Sequence, residues 1–288
     1  MGGSAAIDLK IAKFADHIIG CDKNKDHETT ALSNGIVDEI ADLETAVKKS
    51  RLIIVAIPLD AAVKLIPKIL DMTDGQVVTD MSSAKSKIAE SLRHHKNRRQ
   101  FVSAHPMAGT EFSGPLAAHA GMYNEKAAII CDAEESSPEA LKLIQTMYKK
   151  LNMRIINMDS QKHDVHAAYV SHISHISSFA LALTVLEKEE NEKNIFDLAS
   201  GGFSSTVRLA KSSADMWVPI FMQNKENVSQ VLTAYIEKLQ QFKKQIDTEN
   251  TEGLRQNIQA SNQIRRVLNP FKIREYKTKI ITKLSKIF

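Results

Sequence analysis

The segment SAHPMAGTEFSG, Ser103 to Gly114, holds the densest set of reactive side chains in the chain. It follows the β-branched run QFVSA, and open α/β sheets place their sites beyond the carboxyl ends of such strands. His105 therefore points toward a crevice, and an imidazole there can move protons because its ordinary pKa is about 6.5. Ser83 closes the preceding strand-like run QVVTDMSS. A hydroxyl at that place can hold one ring nitrogen and leave the other to accept a proton. The competing reading of His105 is a turn histidine before proline, satisfied by backbone.

Four further histidines, His163, His166, His172 and His175, invite a metal reading, and the last two are spaced to share one helix face. No cysteine pair or HExxH pattern accompanies them, so no metal site is expected. Cys21 and Cys131 each lie in an apolar run and read as small buried hydrophobes in a reduced, cytoplasmic setting.

The chain opens with Met1-Gly2-Gly3-Ser4 and a helix-like AAIDLKIAKF, followed by HIIGCD ending in Asp22. A dinucleotide-binding unit has a strand, a glycine-rich turn at a helix N-terminus, and an acidic residue about 20 positions on that binds the ribose hydroxyls. The opening fits such a unit without its first strand and first two glycines. The alternative is a Gly-Gly-Ser of no functional meaning and a turn aspartate. The absent strand would lie between HIIGCD and RLIIVAIP, leaving backbone groups there unpaired. The expectation is that Met1 is a misplaced start or a truncation and that NAD binds poorly to the chain as given. Asp22 favours NAD over NADP, since a carboxylate repels a 2′-phosphate, although the adjacent Lys23 weakens that preference.

The elements that must position these residues follow from periodicity. Short β-branched runs (HIIGCD, RLIIVAIP, QVVTDMSS, QFVSAHP, KAAIICD, RIINMD) alternate with segments suited to helices: Lys23 to Asn34, Ala61 to Asp71, Lys85 to His95 and Pro138 to Leu151. That alternation predicts an α/β Rossmann-like, doubly wound parallel sheet. After Asp159 the strand signals stop and an all-α region begins. Val228, Val231, Leu232, Tyr235, Ile236, Leu239, Phe242 and Ile246 form one apolar stripe, and Val170, Ile173, Ser177, Ala180, Leu181 and Thr184 another, rich in small residues. Such stripes need a partner surface, and a symmetric homodimer supplies one. The predicted layout is a dinucleotide-binding domain over 1–159, a helical substrate and dimerisation domain over 160–268, and a basic tail over 269–288.

The net charge is +4, and beyond Gln263 eight lysines and arginines face only Glu275. The body is therefore near neutral and lacks the basic, aromatic-interleaved face of a nucleic-acid binder. The longest apolar stretch, Ile176 to Leu186, is about half a membrane span, so neither a nucleic-acid nor a membrane partner is expected.

HPMAGTE with Ser83 and Lys85 upstream, VSHISH in the first long helix, and GGFSSTVRLAKSSADMW beyond it together resemble the prephenate and arogenate dehydrogenase family, in order, from Gly2 to about Leu268. Two departures are local: Ser174 stands where the family's SHLPH has proline, and SSAK where GSVK is usual. The resemblance implies a Rossmann domain followed by an all-α dimerisation domain. It assigns catalysis to His105 and Ser83, and substrate binding to Arg208, His175, Ser171, Thr110 and Glu111. Gly2, Gly3, Asp22, Ala56 and Pro58 would hold NAD. The implied reaction is oxidative decarboxylation of prephenate, a small dianion that calls for a guanidinium such as Arg208. Arogenate dehydrogenase is the near alternative, and a catalytically impaired dimeric interaction module the distant one. Trp217, the only tryptophan, reads as a core or interface anchor.

Overall fold

In the computed structural model, residues 1–110, 112–192 and 194–268 are described. The basic tail and Glu111 lie outside the described residues. The first half runs α1 (Gly2–Ile11), β1 (Ile19–Gly20), α2 (Lys25–Ser33), β2 (Glu39–Ile40), α3 (Leu43–Lys49), β3 (Leu52–Val55), α4 (Leu59–Met72), β4 (Val77–Asp80), α5 (Ser86–Leu92), β5 (Phe101–Pro106), β6 (Ala127–Cys131), α6 (Pro138–Lys150) and β7 (Arg154–Met158). Helices α7 (Ser160–Ala167), α8 (Ile173–Asn191), α9 (Gly201–Thr206), α10 (Ala214–Gln223), α11 (Lys225–Asp247), α12 (Thr251–Ser261) and α13 (Ile264–Leu268) complete it.

Strands β3 to β7 form one sheet in the order β3-β4-β5-β6-β7, and β1 and β2 pair in a separate two-stranded sheet. Pairing is parallel throughout except between β5 and β6, so the last two strands run against the first three. The six runs read as strands are strands; Glu39–Ile40, too short to show a period, is a seventh. Alternate residues face opposite layers, as the pleat requires. Val77 and Val102 join Ala5, Ile130, Ile144 and Tyr148 on one side, while Val78 and Phe101 join Ile66, Leu70, Ile88 and Leu92 on the other. Helices therefore cover both faces, and β4 and β5 are wholly buried.

Helix α1 bridges the two sheets. Its Ala5 and Leu9 pack with the core over the larger sheet, and its Ala6 packs with Ile36 and Val37 beside the smaller one. β3 and β1 are both terminal strands, and three of the four β3 residues are only part-buried.

Asp159, where the strand signal stops, caps α7 by accepting a hydrogen bond from the Lys162 amide at 2.7 Å. A π-helical turn over Ala168–His172 then joins α7 to α8, giving one continuous helical run, Ser160–Asn191. The apolar stretch was expected to reach half a membrane span; this 32-residue run is long and apolar enough, by length and composition, to cross one. Its first part nonetheless faces the core, with Ser160, His163, Asp164 and Ala167 buried. Cys131 is buried as expected, whereas Cys21 is exposed, because β1 ends before it.

The chain separates into two compact units, Met1–Val231 and the residues from Leu232 onward. In the first, Trp217 and Ile220 of α10 are buried in the core beside α4. The second contains most of α11 with α12 and α13, and carries exposed Ile236, Leu239, Ile246 and Ile258.

Candidate active site

His105 occupies the carboxyl half of β5, whose six residues are all buried because β4 and β6 flank it. Its position is fixed from below. The Asp80 and Lys85 side chains, both fully buried, form an ion pair at 2.5 Å. Lys85 Nζ donates to the Ala104 carbonyl at 2.6 Å, and the Ala104 amide donates to Asp80 Oδ1 at 3.1 Å. Both backbone groups of the residue preceding His105 are thus held by one buried pair.

The ring itself is oriented by a residue that sequence reasoning missed. His105 Nδ1 lies 2.9 Å from His163 Nε2, and His163 Nδ1 lies 2.8 Å from Asp164 Oδ1. Asp164 also accepts from the Lys85 and Ser86 amides at the start of α5, at 2.7 and 2.8 Å. Burial raises its pKa, but the hydrogen bonds from His163, Ser86 and Lys85 outweigh that, and the net shift is downward. The expected partner, Ser83, is part-buried and makes no hydrogen bond to another described residue. The hint in the sequence was His163, four residues after the cap at Asp159, which by itself reads only as one of four histidines. Among the described residues no three histidine, cysteine or acidic groups are placed to hold a metal ion.

His105 is 8% exposed and its Nε2 has no partner among the described residues. Desolvation drives its pKa well below the usual histidine value, helped by His163, Lys85 and His172. The ring is therefore a neutral base at physiological pH.

His172 and His175 follow from the π-turn. Asn224, just past the end of α10, donates to the Asp164 carbonyl at 2.8 Å and its Nδ2 lies 3.2 Å from His172 Nδ1, so a buried polar residue that the sequence does not single out ties this end of α10 to α7. His172 Nε2 is buried without a hydrogen-bond partner among the described residues, and burial lowers the ring's pKa to about 4. His175 donates from Nδ1 to the Ser171 carbonyl at 3.1 Å and stacks on Trp217 at 3.4 Å between centroids. Its pKa is lowered by burial, raised by that hydrogen bond, and lowered again by the charge of Arg208. Arg208 is exposed in a short 3-10 turn after α9, and Ser178 of α8 donates to the Thr206 carbonyl at 2.9 Å, tying that turn to the helix of His175.

The other candidates are dispersed. Thr110 uses its hydroxyl in a local turn with Phe112, at 3.3 Å from the Phe112 amide. Gly2 and Gly3 form the first turn of α1 in close contact with the rest of the fold. A Cβ on Gly2 would stand 2.9 Å from the Ala56 Cβ, and one on Gly3 2.9 Å from the Ala118 Cβ, so only glycine fits either place. Ala56 and Pro58 are exposed at the carboxyl end of β3, and Asp22 is exposed beyond β1, its Oδ1 accepting from the Asn24 amide at 2.9 Å. A shallow concavity of about 300 Å³ lined by Arg51, Val77, Gln100 and Ser137 opens at the amino ends of the strands, the opposite edge from His105.

Comparison with known families decides what this arrangement belongs to. The family model for the prephenate dehydrogenase nucleotide-binding domain matches residues 5–157, and that for the prephenate dehydrogenase dimerization domain matches 159–260. The chain belongs to the prephenate dehydrogenase family. Among this family's characterised members, prephenate dehydrogenase of Bacillus subtilis is 26% identical over 262 residues, spanning 88% of this chain and 70% of that one. The crystal structure of Aquifex aeolicus prephenate dehydrogenase in complex with hydroxyphenyl propionate and NAD+ superposes with a TM-score of 0.83 at 28% identity, over 93% of this chain and 95% of that one. Synechocystis arogenate dehydrogenase shares the fold, with a TM-score of 0.72 at 24% identity, over 92% and 95% of the two chains.

Proposed function

We propose that this chain catalyses the NAD-dependent oxidative decarboxylation of prephenate to 4-hydroxyphenylpyruvate, the step that commits prephenate to tyrosine. The observation that carries this reading is a buried, neutral His105 with Nδ1 engaged and Nε2 without a partner among the described residues, at the carboxyl end of β5, in a chain matched by both domain models of the family.

The amino-terminal residues fit a dinucleotide. Gly2 and Gly3 let α1 approach Ala56 and Ala118 more closely than any Cβ would allow, and the first turn of α1 has no side-chain cap, so its amides are available to a pyrophosphate. Asp22 would take the ribose hydroxyls, and Ala56 and Pro58 would line the path beyond β3. When bound, NAD supplies the hydride acceptor, and this chain supplies binding, orientation and proton transfer.

His105 Nε2 accepts the proton of the substrate's C4 hydroxyl as hydride leaves that carbon. The carbonyl forming there draws electrons from the ring carboxylate opposite, which departs as carbon dioxide. General-base assistance of this kind contributes roughly 10²- to 10⁴-fold. Arg208 holds a substrate carboxylate in its planar fork, and His175 and Ser171 stand on the helix beside it. Ser83, whose hydroxyl makes no hydrogen bond to another described residue, is available to the C4 hydroxyl. Thr110, whose hydroxyl is engaged locally with Phe112, and Glu111, which lies outside the described residues, are the remaining substrate-binding candidates.

Residues 1–159 are assigned to the cofactor and 160–268 to substrate and self-association. Exposed Val170, Leu183 and Leu186 on the run through α8 would be covered in a homodimer, and sedimentation velocity reads that state directly. We also place the chain in the cytoplasm, where a second copy rather than a membrane would cover the same face.

The deciding experiment follows NADH absorbance with prephenate and arogenate supplied in turn to one preparation. Turnover of prephenate with a kcat/KM at least tenfold above that for arogenate is expected. The reverse order makes the chain an arogenate dehydrogenase, and turnover of neither overturns the enzymatic reading.

A further inference from the structure

We propose that His163 and Asp164 are positioning residues that fix the tautomer of His105, through the unbroken series His105 Nδ1 to His163 Nε2 to Asp164. This inference rests on the general-base reading of His105 and adds what that reading requires. A base that accepts at Nε2 must carry its single proton on Nδ1, and a free imidazole does not hold that tautomer by itself.

The geometry supplies the constraint from the far end. Asp164 is 1% exposed and accepts from the Lys85 and Ser86 amides at the start of α5, which hold it as a carboxylate and fix its direction. A carboxylate only accepts, so His163 must carry its proton on Nδ1, 2.8 Å from Asp164 Oδ1. With His163 as the neutral ring, that leaves its Nε2 as an acceptor, 2.9 Å from His105 Nδ1. His105 must then be the donor, with its proton on Nδ1 and a lone pair on Nε2. Each tautomer is dictated by the one before it. When Nε2 takes the substrate proton, the resulting imidazolium keeps donating to His163, whose dipole is oriented by the Asp164 charge.

Packing alone gives no reason for this arrangement. His163 is 2% exposed, and its two ring nitrogens are both occupied within the series. Burying an imidazole and a carboxylate costs free energy that an apolar pair would avoid. The series also runs from β5 across to α7 and on to the amino end of α5, so it registers the base against the helical region that carries His172 and His175.

The test is nitrogen-15 NMR of the histidine rings in the full chain, with turnover measured alongside. In the parent, His105 is expected as the Nδ1–H tautomer at pH 7.5. His163→Gln places an amide oxygen where it can accept from His105 Nδ1 and should preserve that tautomer and most of kcat. His163→Leu removes the acceptor; His105 should lose its single tautomer and kcat should fall at least tenfold, with KM changed less than about threefold. A parent His105 protonated on Nε2, or a His163→Leu chain with the parental tautomer, overturns the proposal, and the parent spectrum decides even where the leucine variant does not fold. His105→Asn separates this from the reading beneath it. If that variant retains turnover the base assignment fails, whereas loss there with parental activity in His163→Leu removes only the series.

Discussion

Asp80 and Lys85, on either side of the turn that leaves β4, pair at 2.5 Å with neither side chain exposed, and between them they hold both backbone groups of Ala104. The pair serves as the mount on which His105 stands. Removing one member of a buried pair leaves the other's charge uncompensated, at a cost of about 3–5 kcal/mol. Lys85→Met should lower the stability measured by urea denaturation by about that much. Because β5 loses its anchor, activity should fall further than the residual folded fraction explains.

Acid should weaken the fold well above the range where carboxylates titrate. His105 and His172 are both held neutral by burial, the first well below the ordinary histidine value and the second at about 4. In the unfolded chain each titrates near 6.5. Above that pH neither state is charged and no penalty exists. As pH falls below it, the unfolded chain takes up protons that the fold refuses, so stability declines until the folded values are reached. By pH 5 the loss from His172 is on the order of 2 kcal/mol, and His105 adds to it in the same direction. The lowered pKa of Asp164 acts at lower pH, its contribution being lost only as pH falls below the ordinary aspartate value. Urea midpoints at pH 7.5, 6 and 5 check this, and a midpoint unchanged between pH 7.5 and 5 would show that the rings are not held neutral.

Arg208 is exposed and sits close enough to His175 to depress that ring's pKa. A guanidinium grips a carboxylate through two parallel hydrogen bonds, which an ammonium cannot reproduce. Arg208→Lys should therefore raise the KM for prephenate roughly ten- to hundredfold while kcat changes little. Steady-state kinetics give the split, and a pure loss of kcat would move Arg208 out of the binding role.

Asp22 stands exposed beyond β1 with one oxygen already accepting from the Asn24 amide. Its charge should exclude a 2′-phosphate, since opposed like charges cost several kcal/mol. Asp22→Ser should narrow the preference for NAD over NADP by about tenfold or more, measured as the ratio of kcat/KM values. An unchanged ratio would place cofactor discrimination elsewhere.

The amino-acid sequence alone determined the alternation of strand and helix, the change of character at Asp159, and the placement of His105 at a strand's carboxyl end. These follow from local periodicity and turn chemistry, which each segment carries within itself. The kinship of the HPMAGTE, VSHISH and GGFSSTVRLAK segments was legible for the same reason. Tertiary structure decided which groups surround the base. Ser83 was the obvious orienting neighbour, yet the bond is made by His163, 58 residues further along the chain. Asn224, just past α10, joins the same network through the Asp164 carbonyl. It also decided that β1 and β2 stand as a sheet of their own with α1 laid across the seam. Hydrophobic patterning tells a residue which face to bury. Which buried polar group meets which depends on how whole elements pack, and no local stretch of sequence contains that information.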